Sequence, residues 1–211
     1  MTWGLGLKQW AGSSAWGIGA WVVVSVVATA AGLHALWAHS YSPGDSAQPP
    51  LEWPGESVLT RSTAGPTLLF FVHPRCRCTK VSAAMLAAAA PATKTSRQTY
   101  VVAQTGPEFD AAARGALEEY AAKLGARLHM DLEDAERRRF GVHTSGQVVV
   151  YDVAGQLAFA GGVTAARGHE GPNPGQAALI ALLRDERPAP ANWPVFGCPL
   201  TAEARAGGRR P

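Results

Sequence analysis

The chain has 211 residues, a length that suits one domain with appendages better than two full domains. Its formal net charge is only +3, and the one tight basic run, Arg137-Arg138-Arg139, follows Asp131, Glu133, Asp134 and Glu136, so it reads as a solvated helix face and argues against a nucleic-acid partner. Zinc-finger spacing, an aromatic-basic strand pair and a P-loop are all missing from the sequence.

Ala15 to Trp37 carries no Asp, Glu, Lys or Arg. At about 1.5 Å per residue this run spans roughly 35 Å, enough for a hydrocarbon core of about 30 Å. Trp16, Trp21 and Trp37 lie toward its ends, where indole rings settle among headgroups. Lys8 and the α-amine are positive before the run, whereas Asp45, Glu52 and Glu56 precede the first basic residue after it, Arg61. The asymmetry predicts a short cytoplasmic N-terminus over 1–14, one transmembrane helix over 15–37, and a body outside. Ala28-Thr29-Ala30 has the small-x-small form of a cleaved signal, the rival reading, but the apolar run continues past it. Either reading exports the body. The expected location is the inner membrane, single-pass, with the C-terminal domain in the periplasm.

Residues 38–65 hold Pro43, Pro49, Pro50 and Pro54 among Gly and Ser, which predicts a spacer. Thr67 to Val72 is a continuous apolar strand signal, of the kind covered on both faces. After His73-Pro74-Arg75-Cys76-Arg77-Cys78 a helix begins near Thr79, runs through the Ala-rich Val81–Ala90 and stops at Pro91. Tyr100–Ala103 is a second strand. Thr105-Gly106-Pro107-Glu108 fits a capping box opening a helix to Leu124, with Phe109, Ala113, Ala116, Leu117, Tyr120 and Leu124 on one face and Gly125 as its stop. Arg127–Met130 is a short strand, followed by an acidic turn and a helix near Ala135–Phe140. Gln147–Tyr151 and Gln156–Ala160 form a hairpin turning at Gly155. Asn173-Pro174 then caps a helix whose Ala177, Ile180 and Leu183 face the sheet.

This order predicts an α/β body over 66–184, a three-layer sandwich with a central mixed sheet. Residues 185–211 form a Pro- and Gly-rich extension, but Trp193–Leu200 is too apolar for a free tail and is expected to pack back on the body.

The element order and the cysteines at the end of the first core strand resemble the thioredoxin-like superfamily. Three segments resemble its small membrane-anchored RedB group: Cys76-Arg77-Cys78, Gly161-Gly162-Val163-Thr164-Ala165-Ala166-Arg167-Gly168-His169 and Phe196-Gly197-Cys198-Pro199. The resemblance implies thiol-disulfide chemistry on protein thiols or a redox partner. Two departures stand out. The cysteines are one residue closer than in Cys-x-x-Cys, and Ser145 occupies the place of the proline that ordinarily faces them. A hydroxyl there can hydrogen-bond a thiolate instead.

Exchange needs a thiolate, and a helix N-terminus flanked by Arg75, Arg77 and Lys80 favours one. Cys76 is the expected exposed nucleophile. Cys78 closes a strained ring with it, a pair suited to an oxidant or isomerase rather than a strong reductant. Cys198 is the odd thiol, with three roles open: resolving a mixed disulfide at Cys76, pinning the tail, or filling the core. Such exchange requires no cofactor. A second reading gathers His73, Cys76, Cys78 and His169 around Cu(I), in partial resemblance to Sco-type copper chaperones. A third makes the body an accessory subunit of a larger membrane complex.

Overall fold

A computed structural model describes residues 11–45, 47–89, 97–106, 109–186 and 192–200. The chain divides into two compact units, Met1–Ser40 and Tyr41–Pro211. The described residues of the first belong to the helix α1, Ala11–Tyr41, of which Gly17–Tyr41 is long and apolar enough to cross a membrane, with mean hydropathy 1.8. A helix of this kind near an N-terminus serves as a membrane span or as a signal sequence.

The second unit is built on β1, Thr67–Val72, every residue of which is buried. It is a central strand: β2 (Gln98–Gln104) pairs with it in parallel and β4 (Gln147–Tyr151) antiparallel. β3 (Arg127–Asp131) extends the parallel side, while β5 (Leu157–Gly161) and β6 (Asn192–Trp193) extend the other, in the order β3-β2-β1-β4-β5-β6. Side chains of a strand alternate between faces. Leu68, Phe70 and Val72 therefore meet a layer made by α2 (Arg77–Ala89), α3 (Ala111–Leu124) and α5 (Pro174–Leu183). Leu69 and Phe71 enter a second core with Tyr100, Phe140, Val149 and Tyr151. The body is thus the predicted mixed α/β sheet between flanking layers. Gly155 turns the β4–β5 hairpin at φ 83°, as its place in the sequence predicts.

The second face departs from expectation. Besides α4 (Ala135–Arg139), its cover is the segment predicted to be a spacer. Ala47 and Leu59 are buried in that core, and the Trp53 ring lies edge-on to Phe140 and Tyr151 at 5.2 and 5.3 Å. Leu51 O accepts from Leu157 N at 2.7 Å, and Pro50 O from the Tyr151 hydroxyl at 2.9 Å. The prolines set an extended path, but the apolar residues between them have a core to fill.

Three further corrections concern helices. α3 starts at Ala111, because the Asp110 carboxylate accepts from Ala113 N at 2.8 Å and takes the cap from Thr105; Pro107 and Glu108 lie outside the described residues, as does Pro91. α5 is capped by Asn173 but buries Gly175, Leu179 and Leu183 rather than Ala177 and Ile180. The charged run around α4 is no solvated face: Asp131, Glu136 and Arg137 are buried. The Asp131 carboxylate accepts from the N–H groups of Glu136 and Arg137, each at 2.8 Å, which places an anion at the start of α4.

Candidate functional site

β1 delivers the chain to the cysteines. After Val72 a single turn, closed by Cys76 N donating to His73 O at 3.1 Å, leads into α2, which starts at Arg77 rather than near Thr79. Cys76 therefore immediately precedes the helix, and Cys78 lies in its first turn. Free N–H groups and the positive end of the helix dipole gather there.

The third cysteine arrives from the far end of the chain. β6 pairs with β5 through Ala160–Asn192 and Gly161–Trp193. Beyond it the chain runs antiparallel to the loop before β4: Ser145 N donates to Cys198 O at 2.8 Å and Leu200 N to His143 O at 2.7 Å, with Thr144 bridged to Pro199. Gly197 is required at this crossing, since a Cβ there would run into the Ser145 carbonyl. The Gln104 side-chain amide donates to Leu200 O at 2.7 Å and the Arg167 guanidinium donates to Gly197 O. This lattice of bonds presses Cys198 onto Cys76.

Cys76 is 3% exposed, so the exposed nucleophile expected from the sequence is instead a covered one. Hydrogen bonds nevertheless hold it ionised. The Cys198 thiol donates to it first, with the Cys198 N–H, the Thr79 hydroxyl and the Thr79 N–H adding to the effect, and together they outweigh burial and bring its pKa down to about 4. Cys198 correspondingly keeps its proton: donating to Cys76, burial and the neighbouring negative charge all push its pKa up. Burial and the charge on Cys76 also raise Cys78, against an opposing pull from Arg167.

A hydroxyl chain stands behind Cys76. Ser145 Oγ accepts from His73 N at 2.8 Å and lies 2.7 Å from Thr79 Oγ1. Because the Thr79 hydroxyl gives its one proton to the Cys76 thiolate, Ser145 is the donor between the two hydroxyls. Ser145 thus acts one step removed from the sulfur. Replacing Thr79 with Val is expected to raise the Cys76 midpoint by about one pH unit, read from thiolate ultraviolet absorbance against pH.

The flanking cations play a different part from the expected one. Arg75 forms a 2.7 Å ion pair with Asp110 at the start of α3, and the largest influences on Cys76 are hydrogen bonds and burial rather than these cations. A cation that does act on Cys78 and Cys198 is Arg167, which the sequence shows only as part of the Gly161–His169 segment. His169 is exposed, 6.2 Å from the Tyr41 ring. Among the described residues no three His, Cys, Asp or Glu side chains are grouped to hold a metal ion, so the His73, Cys76, Cys78 and His169 set is not assembled.

No protein-family model and no curated protein matches this sequence. Among solved structures, an uncharacterized conserved protein from Geobacillus kaustophilus is similar at TM-score 0.54 and 18% identity, over 76% of this chain and 92% of that one. A hypothetical protein from Sinorhizobium meliloti is similar at TM-score 0.53 and 19% identity, over 77% and 97%. A secreted disulfide oxidoreductase from Mycobacterium tuberculosis matches at TM-score 0.38 and 18% identity, over 57% and 81%. With three parallel strands, an antiparallel hairpin and cysteines where β1 hands over to α2, the body from Thr67 to Leu183 has a thioredoxin-like fold.

Proposed function

We propose that this chain is a membrane-anchored thiol-disulfide oxidoreductase of the RedB group, acting on protein thiols in the periplasm, with Cys76 and Cys198 as its redox pair. The observation that carries the reading is the placement of Cys198 beside Cys76 by the Ser145 N to Cys198 O and Leu200 N to His143 O bonds. Closing a disulfide there removes two electrons and one proton. A partner disulfide takes the electrons and departs as one thiol and one thiolate. Cys198 suits the pairing better than Cys78, because a bridge across one intervening residue forces the ring geometry, whereas Cys198 comes from a separate segment.

The direction follows from the thiolate. An environment that stabilises Cys76 in its ionised form favours the reduced state, which makes the disulfide an oxidant toward protein dithiols. The RedB assignment is supported by the meeting of its three segments: Arg167 donates to Gly197 O, the Gly168 backbone contributes to the surroundings of Cys78, and Cys198 touches Cys76. The apolar helix Gly17–Tyr41 supports the anchor.

The test is intact mass of the detergent-solubilised full chain across a glutathione redox series. The expected result is a reversible loss of two hydrogens that survives Cys78→Ser and disappears in Cys76→Ser and in Cys198→Ser. A loss that survives Cys198→Ser but needs Cys78 would return the chemistry to the Cys-x-Cys pair. Stoichiometric retention of added Cu(I), abolished by Cys78→Ser, would replace the reading with metal delivery.

A further inference from the structure

We infer that the substrate-facing cysteine is Cys198 on the C-terminal segment, and that Cys76, at the start of α2, is the inner sulfur that departs when the disulfide is opened. The assignment rests on the redox pair proposed above and sets the order of events within it.

Thiol-disulfide exchange places three sulfurs nearly in line, with the attacking thiolate opposite the leaving sulfur. Access therefore has to be judged along that line. Cys198 is half-buried on a segment at the surface of the body, whereas Cys76 is 3% exposed. The polar groups next to the buried Cys76 are Cys198, Thr79 and Cys78. Of the two, Cys198 is therefore the more accessible to an incoming thiolate.

The leaving side agrees. Departure is faster for the sulfur that better carries negative charge, and the groups that do this are arranged around Cys76. Once Cys198 is bonded to the substrate it no longer has a thiol proton to give. The Thr79 hydroxyl and the Thr79 and Cys198 N–H groups remain to hold the departing thiolate.

The sequence of bonds is then explicit. A substrate thiolate RS⁻ attacks Cys198 Sγ; the Cys76–Cys198 bond breaks with its electron pair going to Cys76, and a Cys198–S–S–R mixed disulfide forms. A second substrate thiolate attacks the R sulfur. That releases Cys198, which takes up a proton, and leaves the substrate as its disulfide. The substrate is oxidised by two electrons and the protein is reduced by two.

The experiment uses the full chain in detergent, oxidised with glutathione disulfide, exposed briefly to reduced glutathione as the probe and quenched in acid. Peptide mapping then locates both the protein disulfide and the glutathione adduct. The expected adduct is on Cys198, and in parallel Cys76→Ser accepts glutathione from glutathione disulfide at Cys198, while Cys198→Ser does so at Cys76 at least tenfold more slowly. An adduct found on Cys76 in the native chain, with Cys198→Ser reacting as fast as Cys76→Ser, overturns the assignment and leaves the redox pair standing. A map without any Cys76–Cys198 disulfide overturns the pair itself, and the assignment with it.

Discussion

Replacing Gly197 with Val is expected to lift the C-terminal segment off the thiols while leaving all three cysteines in place. The new side chain would run into the Ser145 carbonyl. The Ser145 N to Cys198 O bond and the Leu200 N to His143 O bond bracket the same position, so they have to open together. Leu200, 1% exposed and part of the second core, would be drawn out with them. Alkylation of Cys76 by iodoacetamide, followed by peptide mapping, should speed up at least about tenfold, equivalent to roughly 1.4 kcal/mol in the opening equilibrium. The yield of Cys76–Cys198 disulfide should fall in the same preparation. Unchanged labelling would mean that the segment does not govern access to Cys76.

The second large effect is on pH dependence. Reduced protein should gain stability as pH rises from about 4.5 to about 7.5, while oxidised protein should show no matching gain. In the unfolded chain a thiol keeps its proton up to a pH of about 8.5. In the folded chain Cys76 loses it near 4. Over that interval the unfolded state binds more protons, and stability therefore rises with pH. The contribution is complete above the unfolded value and is lost as pH falls through the folded one. Its upper limit is about 1.4 kcal/mol per pH unit. Cys198 works in the opposite sense, because its raised pKa gives a contribution present at low pH and lost once the unfolded thiol ionises. The reduced state should thus be most stable in mildly alkaline solution. Denaturant unfolding of both redox forms across this range checks the difference, and parallel curves would sink it.

Those expectations rest on contacts of unequal visibility in the sequence. Thr67–Val72 announces a central strand because a strand covered on both faces has no room for polar alternation. The placement of Cys76 follows from it, since a buried strand has to end before a helix can begin. α3 was harder to bound, because Thr105 and Asp110 are both good caps and only the fold decides between them. The segment after α1 looks like a spacer because its prolines and glycines are conspicuous, while Ala47, Trp53 and Leu59, which enter the core, are spaced too irregularly to show a face. At the site, the neighbours that matter to Cys76 are remote in sequence. Cys198 and Ser145 reach it through backbone pairing between two loops, a contact with no periodic signature. Adjacent arginines are easy to see in the sequence, whereas the hydrogen bonds from Cys198 and Thr79 that favour the thiolate depend on the fold.

The cover over Cys76 also bears on the durability of the molecule. A sulfur that is ionised at neutral pH is the one most exposed in principle to irreversible damage, climbing from sulfenic to sulfinic and sulfonic acid. Here the same segment that keeps it ionised stands between it and solvent, and carries a second thiol against it. Any sulfenic acid formed at Cys76 has a condensation partner already in contact, which diverts it to a reducible disulfide before further oxygen is added. Such an arrangement keeps a reactive anion in working order without a dedicated repair enzyme.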